Sequence, residues 1–169
     1  MKEKIKQIII LLAMIAVIIF GLAWLTNSNT KTPATTANGE SGGILTFQES
    51  SYDFGTVSMA KGKVIKDFLL ENKSDKNVQI GEVYTSCMCT SAELRVGDKF
   101  AGPFGMQGHG YTGKANLIVK PGETLAVKAI FDPAAHGPSG VGPIERQIVI
   151  STGANQEPIS FQFKAVVTP

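Results

Sequence analysis

Few of the residues that usually carry chemistry are present. The 169-residue chain has two cysteines, two histidines and one tryptophan. Both histidines, His109 and His136, fall in Gly-rich stretches, and no G-x-S-x-G elbow occurs, which argues against a Ser/His/Asp hydrolase. A one-signed charge excess is also missing. Four of the 16 Lys and Arg (Lys2, Lys4, Lys6, Lys31) and two of the 14 acids (Glu3, Glu40) precede residue 44, so the remainder is neutral. Without a basic stripe, nucleic acid is excluded as an expected partner. From Ile44 onward no dozen-residue window shows helical apolar spacing free of Gly or Pro, which excludes a helical bundle.

One long apolar run is present. Ile8 to Leu25 carries no charge, and about 18 residues of helix cover roughly 27 Å, enough for most of a hydrocarbon core. Lys2, Lys4 and Lys6 flank it on one side and Trp24 lies near the other end. The expectation is a single transmembrane helix, a signal anchor within residues 1–25, with the N-terminus in the cytoplasm and the rest outside. A cleaved signal peptide is the alternative, but the run is long for one and GLAWLT offers no clear A-x-A site. No cysteine follows the run to take a lipid. Residues 26–43, rich in Thr, Asn, Ser and Gly, read as a flexible linker.

The outer part, 44–169, reads as short strands: 44–47, 52–57, 64–72, 78–85, 90–96, 115–119, 124–132, 146–152 and 159–167. The last alternates cleanly, with Ile159, Phe161 and Phe163 on one face and Ser160, Gln162 and Lys164 on the other. Eight or nine strands separated by Gly, Pro and Asn turns predict an all-β, immunoglobulin-like β-sandwich. Because the only Trp is in the apolar run, the Cys…Trp…Cys arrangement of antibody domains is absent, and the core must hold without a cross-sheet disulfide. Phe47, Phe54, Phe68, Phe131, Phe161 and Phe163 are the expected core.

The succession YDFGTV, FLLENKSDKNVQI, GEVYTSCMCT and KPGETLAVKAIFDP resembles the bacterial domain-of-unknown-function family 1573 over residues 44–169. Its members are similar to immunoglobulin-like domains of the major-sperm-protein and ciliary type. The family pattern Ser-Cys-x-Cys-Thr is matched by Ser86, Cys87, Cys89 and Thr90. Met88 departs from the usual Gly. The resemblance implies the sandwich fold and no established activity. Against the common pattern, 97–114 and 134–145 read as insertions.

GPFGMQGHGYTGKAN, 102–116, formally contains both G-x-G-x-x-G and G-x-x-x-x-G-K. A phosphate loop needs a helix after it, and here a β run follows, stopped by Pro121-Gly122. Ala115 stands where a Mg²⁺-binding hydroxyl belongs, so no nucleotide site is expected. The same loop supplies Met106 and His109. Together with Cys87 and Cys89 they form a soft donor set of the kind Cu(I) prefers. Zn²⁺ would use the two thiolates with His109 and His136. The bland alternative for Met106, His109 and His136 is an exposed, Gly-rich loop. Asn72-Lys73-Ser74 fits a glycosylation sequon, from which nothing is drawn.

Three readings of Cys87 and Cys89 stand open: packing residues, metal ligands or a redox pair. On a strand, residues two apart share a face with Cα atoms about 6.5–7 Å apart, at the limit for a disulfide. A bond between them would need a local turn and would be readily reduced. On that strand Met88 would point into the opposite layer, whereas in a turn it becomes a further soft ligand. Idle thiols are a liability outside the membrane, which favours chemistry; small buried Cys side chains favour packing. The function expected from the sequence is a membrane-anchored, non-catalytic interaction module meeting an envelope protein. Copper or zinc binding is the alternative, and thiol–disulfide exchange the third reading.

Overall fold

A computed structural model describes residues 6, 40–41, 45–155 and 157–169. Thr36–Pro169 form one compact unit. The apolar run 8–25 expected to anchor the chain lies outside the described residues, as does most of the expected linker. Among the described residues no helix is long and apolar enough to cross a membrane.

The unit is all-β. Its strands are β1 (Glu40–Ser41), β2 (Leu45–Phe47), β3 (Ser51–Ser58), β4 (Val64–Asn72), β5 (Val78–Thr85), β6 (Thr90–Val96), β7 (Lys99–Phe104), β8 (Gly113–Val119), β9 (Thr124–Phe131), β10 (Gly142–Thr152) and β11 (Glu157–Thr168). One sheet has the order β1-β2-β4-β9-β6-β7 and the other β3-β11-β10-β5-β8. Among the described residues all strand pairings are antiparallel except that of β3 with β11. The short pair Glu40–Thr46 and Ser41–Leu45 begins the first sheet inside the stretch expected to be linker.

Alternation builds the core. In β4, Phe68, Leu70 and Asn72 are buried while Asp67, Leu69 and Glu71 face out. In β11, Ile159, Phe161, Phe163, Ala165 and Val167 are buried. Aromatic contacts join the two layers where antibody domains use a disulfide. Phe68 of the first sheet stacks on Phe161 of the second, with centroids 4.9 Å apart. Phe131 meets Phe163 at 5.6 Å. Each such fully buried ring contributes about 1.5–3 kcal/mol relative to exposure. Phe47 and Phe54, expected inside, pack against the core from its margin.

The 73–77 turn hangs on a buried amide. Asn72 Nδ2 donates to the carbonyls of Lys76 and Val119, both at 2.8 Å. Its Oδ1 accepts from the Ser74 N–H at 3.0 Å and the Ser74 hydroxyl at 2.7 Å. This accounts for the sequon-like triplet as a turn device. Asn72→Ala strands these partners and is expected to cost about 2–3 kcal/mol. The check is a lower urea midpoint with an unchanged slope.

Candidate functional site

Cys87 and Cys89 sit where the chain leaves one sheet for the other, between β5 and β6. The backbone does not continue as a strand. The Thr90 N–H donates to the Cys87 carbonyl at 3.1 Å, closing a turn over Cys87-Met88-Cys89-Thr90. Thr85, itself buried, directs its hydroxyl at the carbonyls of Cys87 and Thr90, each 3.0 Å away. The strand-based expectation for the cysteines is therefore corrected. Met88 lies at the tip of the turn, 54% exposed, rather than in a second packing layer. The two sulfurs are 2.8 Å apart, with the Cys89 S–H donating to Cys87.

Two further side chains converge on the sulfurs. His136 Nε2 is 3.2 Å from Cys87 Sγ. Arg146 Nε donates to Cys89 Sγ at 3.1 Å. Pairing of β6 with β9 places Phe131 opposite Thr90, and the Asp132 N–H donates to the Cys89 carbonyl at 2.9 Å. From there Asp132 Oδ1 accepts the Ala134 N–H and the Ala134 carbonyl accepts the Gly137 N–H, so tight turns carry the chain to His136. Gly140 permits the loop to close here, since a Cβ at that position would stand 3.1 Å from His136 Cβ. Arg146 arrives on β10. Its neighbour Gln147 is fastened to Ser86 by two hydrogen bonds, N–H to Oγ and N–H to carbonyl, both 2.9 Å.

The thiols are inequivalent. Cys89 is 2% exposed and Cys87 is half-buried. Burial pushes the Cys87 thiol up, but hydrogen bonds from Cys89 and His136 and the Arg146 charge outweigh it and bring it down to about 7. Burial raises Cys89, and its hydrogen bond to Cys87 raises it further, more than Arg146 and Thr90 lower it. Burial lowers the Arg146 guanidinium, but its contacts with the two sulfurs reverse this and raise it.

The expected metal set is only partly assembled. Among the described residues, the ligand atoms of Cys87, Cys89 and His136 lie within 4.8 Å of one another, and His109 does not join them. His109 is exposed in the β7–β8 loop, its N–H donating to the Met106 carbonyl. Met106 is half-buried and comes near the cysteine turn through a main-chain bridge with Thr85. His136 stood in the sequence only as a further zinc ligand. Arg146 was missed; β5–β10 pairing, Ile148 opposite Thr85, brings it beside the cysteines.

The family described as Protein of unknown function (DUF1573) matches residues 45–97. The match includes both cysteines and ends before His136 and Arg146. The resemblance read from the sequence is shown over this shorter stretch. No curated protein matches the chain. Among solved structures, a protein of unknown function from Porphyromonas gingivalis W83 is similar at 16% identity with a TM-score of 0.53. The likeness covers 80% of this chain and 51% of that one. This chain thus spans about half of that protein, and the likeness is one of fold. The human CEP192 PapD-like domain 7 is similar at 14% identity with a TM-score of 0.44, covering 84% of this chain and 95% of that one. The secreted serine protease VesC from Vibrio cholerae is similar at 10% identity and a TM-score of 0.44, over 75% of this chain and 24% of that one.

Proposed function

We propose that this is a thiol–disulfide exchange domain held outside the membrane, acting on cysteines of other envelope proteins. The observation that carries this reading is a turn holding a half-buried and a buried thiol with sulfurs 2.8 Å apart. That separation is only about 0.8 Å longer than an S–S bond. In the forward step the Cys87 thiolate attacks one sulfur of a substrate disulfide. A mixed disulfide forms, and the other substrate sulfur leaves as thiolate and takes a proton. Cys89 then loses its proton and attacks the Cys87 sulfur, releasing the second substrate thiol. The substrate gains two electrons and the pair is oxidised to a bridge; with a dithiol substrate the same steps run backward. Arg146 stabilises the sulfur that becomes negative on Cys89, and His136 serves the proton transfers at Cys87. Met88, exposed beside Cys87, offers an apolar contact for the substrate chain. The interaction surface expected from the sequence thereby becomes the means of meeting a substrate.

Equilibration of the full chain with glutathione buffers, read by mass after acid quench, tests this. The expected result is a reversible Cys87–Cys89 bridge at about −120 to −270 mV, the range of dedicated exchange proteins. No intramolecular bridge, or one below about −300 mV as in structural staples, sinks the reading.

A further inference from the structure

The reduced site has a second capability, independent of exchange. We infer that Cys87, Cys89 and His136 form a three-coordinate site for a soft monovalent cation of the Cu(I) class, with Arg146 selecting it against Zn²⁺.

Donor chemistry comes first. Two sulfurs and an imidazole nitrogen lie close together, their ligand atoms within 4.8 Å of one another. Thiolates with imidazole suit Cu(I) and Zn²⁺ and suit hard cations poorly. Metal–sulfur bonds of about 2.3 Å and metal–nitrogen bonds of about 2.0 Å place trigonal ligand atoms roughly 3.8–4.0 Å apart. The present separations are 2.8 Å between the sulfurs and 3.2 Å from Cys87 Sγ to His136 Nε2. Reaching the trigonal spacing takes an opening of about 1 Å. An exposed Met88 at the turn tip and an exposed His136 loop leave room for it.

Charge then discriminates. Two thiolates and the Arg146 guanidinium sum to one negative charge. A monovalent ion brings this partly buried cluster to neutrality, while Zn²⁺ leaves an uncompensated positive charge where desolvation makes it costly. Zn²⁺ also takes a fourth ligand, which here would have to be water. Arg146 lies against Cys89, and among the described residues no carboxylate joins the cluster. The Asp132 carboxylate nearby is engaged with the Ala134 N–H. Arg146 therefore blocks the dication electrostatically and leaves the monocation satisfied.

The test uses the full chain, reduced and anaerobic, titrated with Cu(I) and separately with Zn²⁺ against competing chelators. The partners are Cys87→Ser/Cys89→Ser, His136→Ala and Arg146→Gln. The expected result is one equivalent of Cu(I), lost in the double cysteine variant. His136→Ala is expected to weaken it roughly tenfold or more, the scale at which even outer-shell partners matter. X-ray absorption of the copper form should show two sulfur neighbours and one nitrogen. Arg146→Gln should gain Zn²⁺ affinity relative to the native chain. The inference is overturned if Cu(I) binds no better to the native chain than to the double variant. Zn²⁺ matching Cu(I) in the native chain, or an unchanged affinity in His136→Ala, also overturns it. His136 is exposed, so that variant decides the matter even where the cysteine variant fails to fold. Because the titration uses only the reduced protein, failure of the exchange reading leaves it untouched, and the reverse also holds.

Discussion

Alkylation of the reduced chain by iodoacetamide should report a Cys87 midpoint near pH 7, with Cys89 reacting far behind it. The sign follows from the shift: below the midpoint the thiol is protonated and inert, above it the thiolate reacts. At pH 7 such a thiol is about half ionised, against roughly 3% for an ordinary one near 8.5. A less basic thiolate is also a poorer nucleophile, by roughly fivefold for this shift. The net rate advantage at neutral pH is then only about threefold, so the position of the midpoint, not the rate, discriminates. Cys89→Ala removes the neighbouring S–H, and Arg146→Gln removes the charge. Each should move the midpoint upward, Cys89→Ala by the larger step, since the Cys89 hydrogen bond is the strongest of the lowering influences. Stability is the wrong readout here. The lowered Cys87 favours the folded chain at alkaline pH and loses that contribution as pH falls through about 7, while the raised Cys89 acts with the opposite sign. A native midpoint near 8.5 would show that the convergence on Cys87 has no chemical consequence.

The site was half legible. The two cysteines announce themselves by their spacing, and the surrounding threonines, Thr85 and Thr90, prove to hold the turn that the Cys-x-Cys spacing alone does not specify. What sequence spacing does not give is which distant loop returns to them. Met106 and His109 follow the cysteines more closely in the chain and have the right chemistry. Yet sheet register decides proximity. β9 runs back along β6 and delivers residues 132–136 to the cysteine turn, while β10 runs along β5 and delivers Arg146. These pairings bring residues 132–146 to cysteines more than forty positions earlier in the chain, and local pattern is silent about them. A pattern of strands with the order β4-β9-β6 and β10-β5 in hand would have preferred His136 over His109.

The fold was more legible, because alternation at period two is a local signal. The strands at 64–72, 78–85 and 90–96 appear with the expected bounds. A strand not read from the sequence is β7, inside 97–114, which the Gly-rich composition disguised as loop. KFAGPF has little alternation and contains Gly102 and Pro103. Gly102 is required by its setting: with φ +119°, a Cβ there would stand 2.8 Å from the Ala92 carbonyl oxygen. The residues that make the segment look like a loop are those that let it lie close against β6, at the point where the β6–β7 register shifts between Ala92 and Leu94.

Phe104 puts that correction to the test. It ends β7 opposite Ala92, is 1% exposed, and stacks on Tyr111 with centroids 5.5 Å apart. If 97–114 were an appended loop, truncating one of its rings would leave the sandwich intact. As a fully buried ring, Phe104 loses both its transfer energy and its packing partners in Phe104→Ala, and the expected cost is about 3–5 kcal/mol. Against a total of about 5–15 kcal/mol this is a large part of the stability. Phe100, four residues earlier and 49% exposed on the outer face, serves as the internal control, and Phe100→Ala should cost under about 1 kcal/mol. Urea unfolding of the two variants gives the comparison directly, as a large fall in midpoint for the first at constant slope and a small one for the second. Equal costs would return the segment to the surface. The expected inequality makes β7 part of the first sheet's core and Tyr111, 63% exposed, the lid over its last ring rather than a free loop residue.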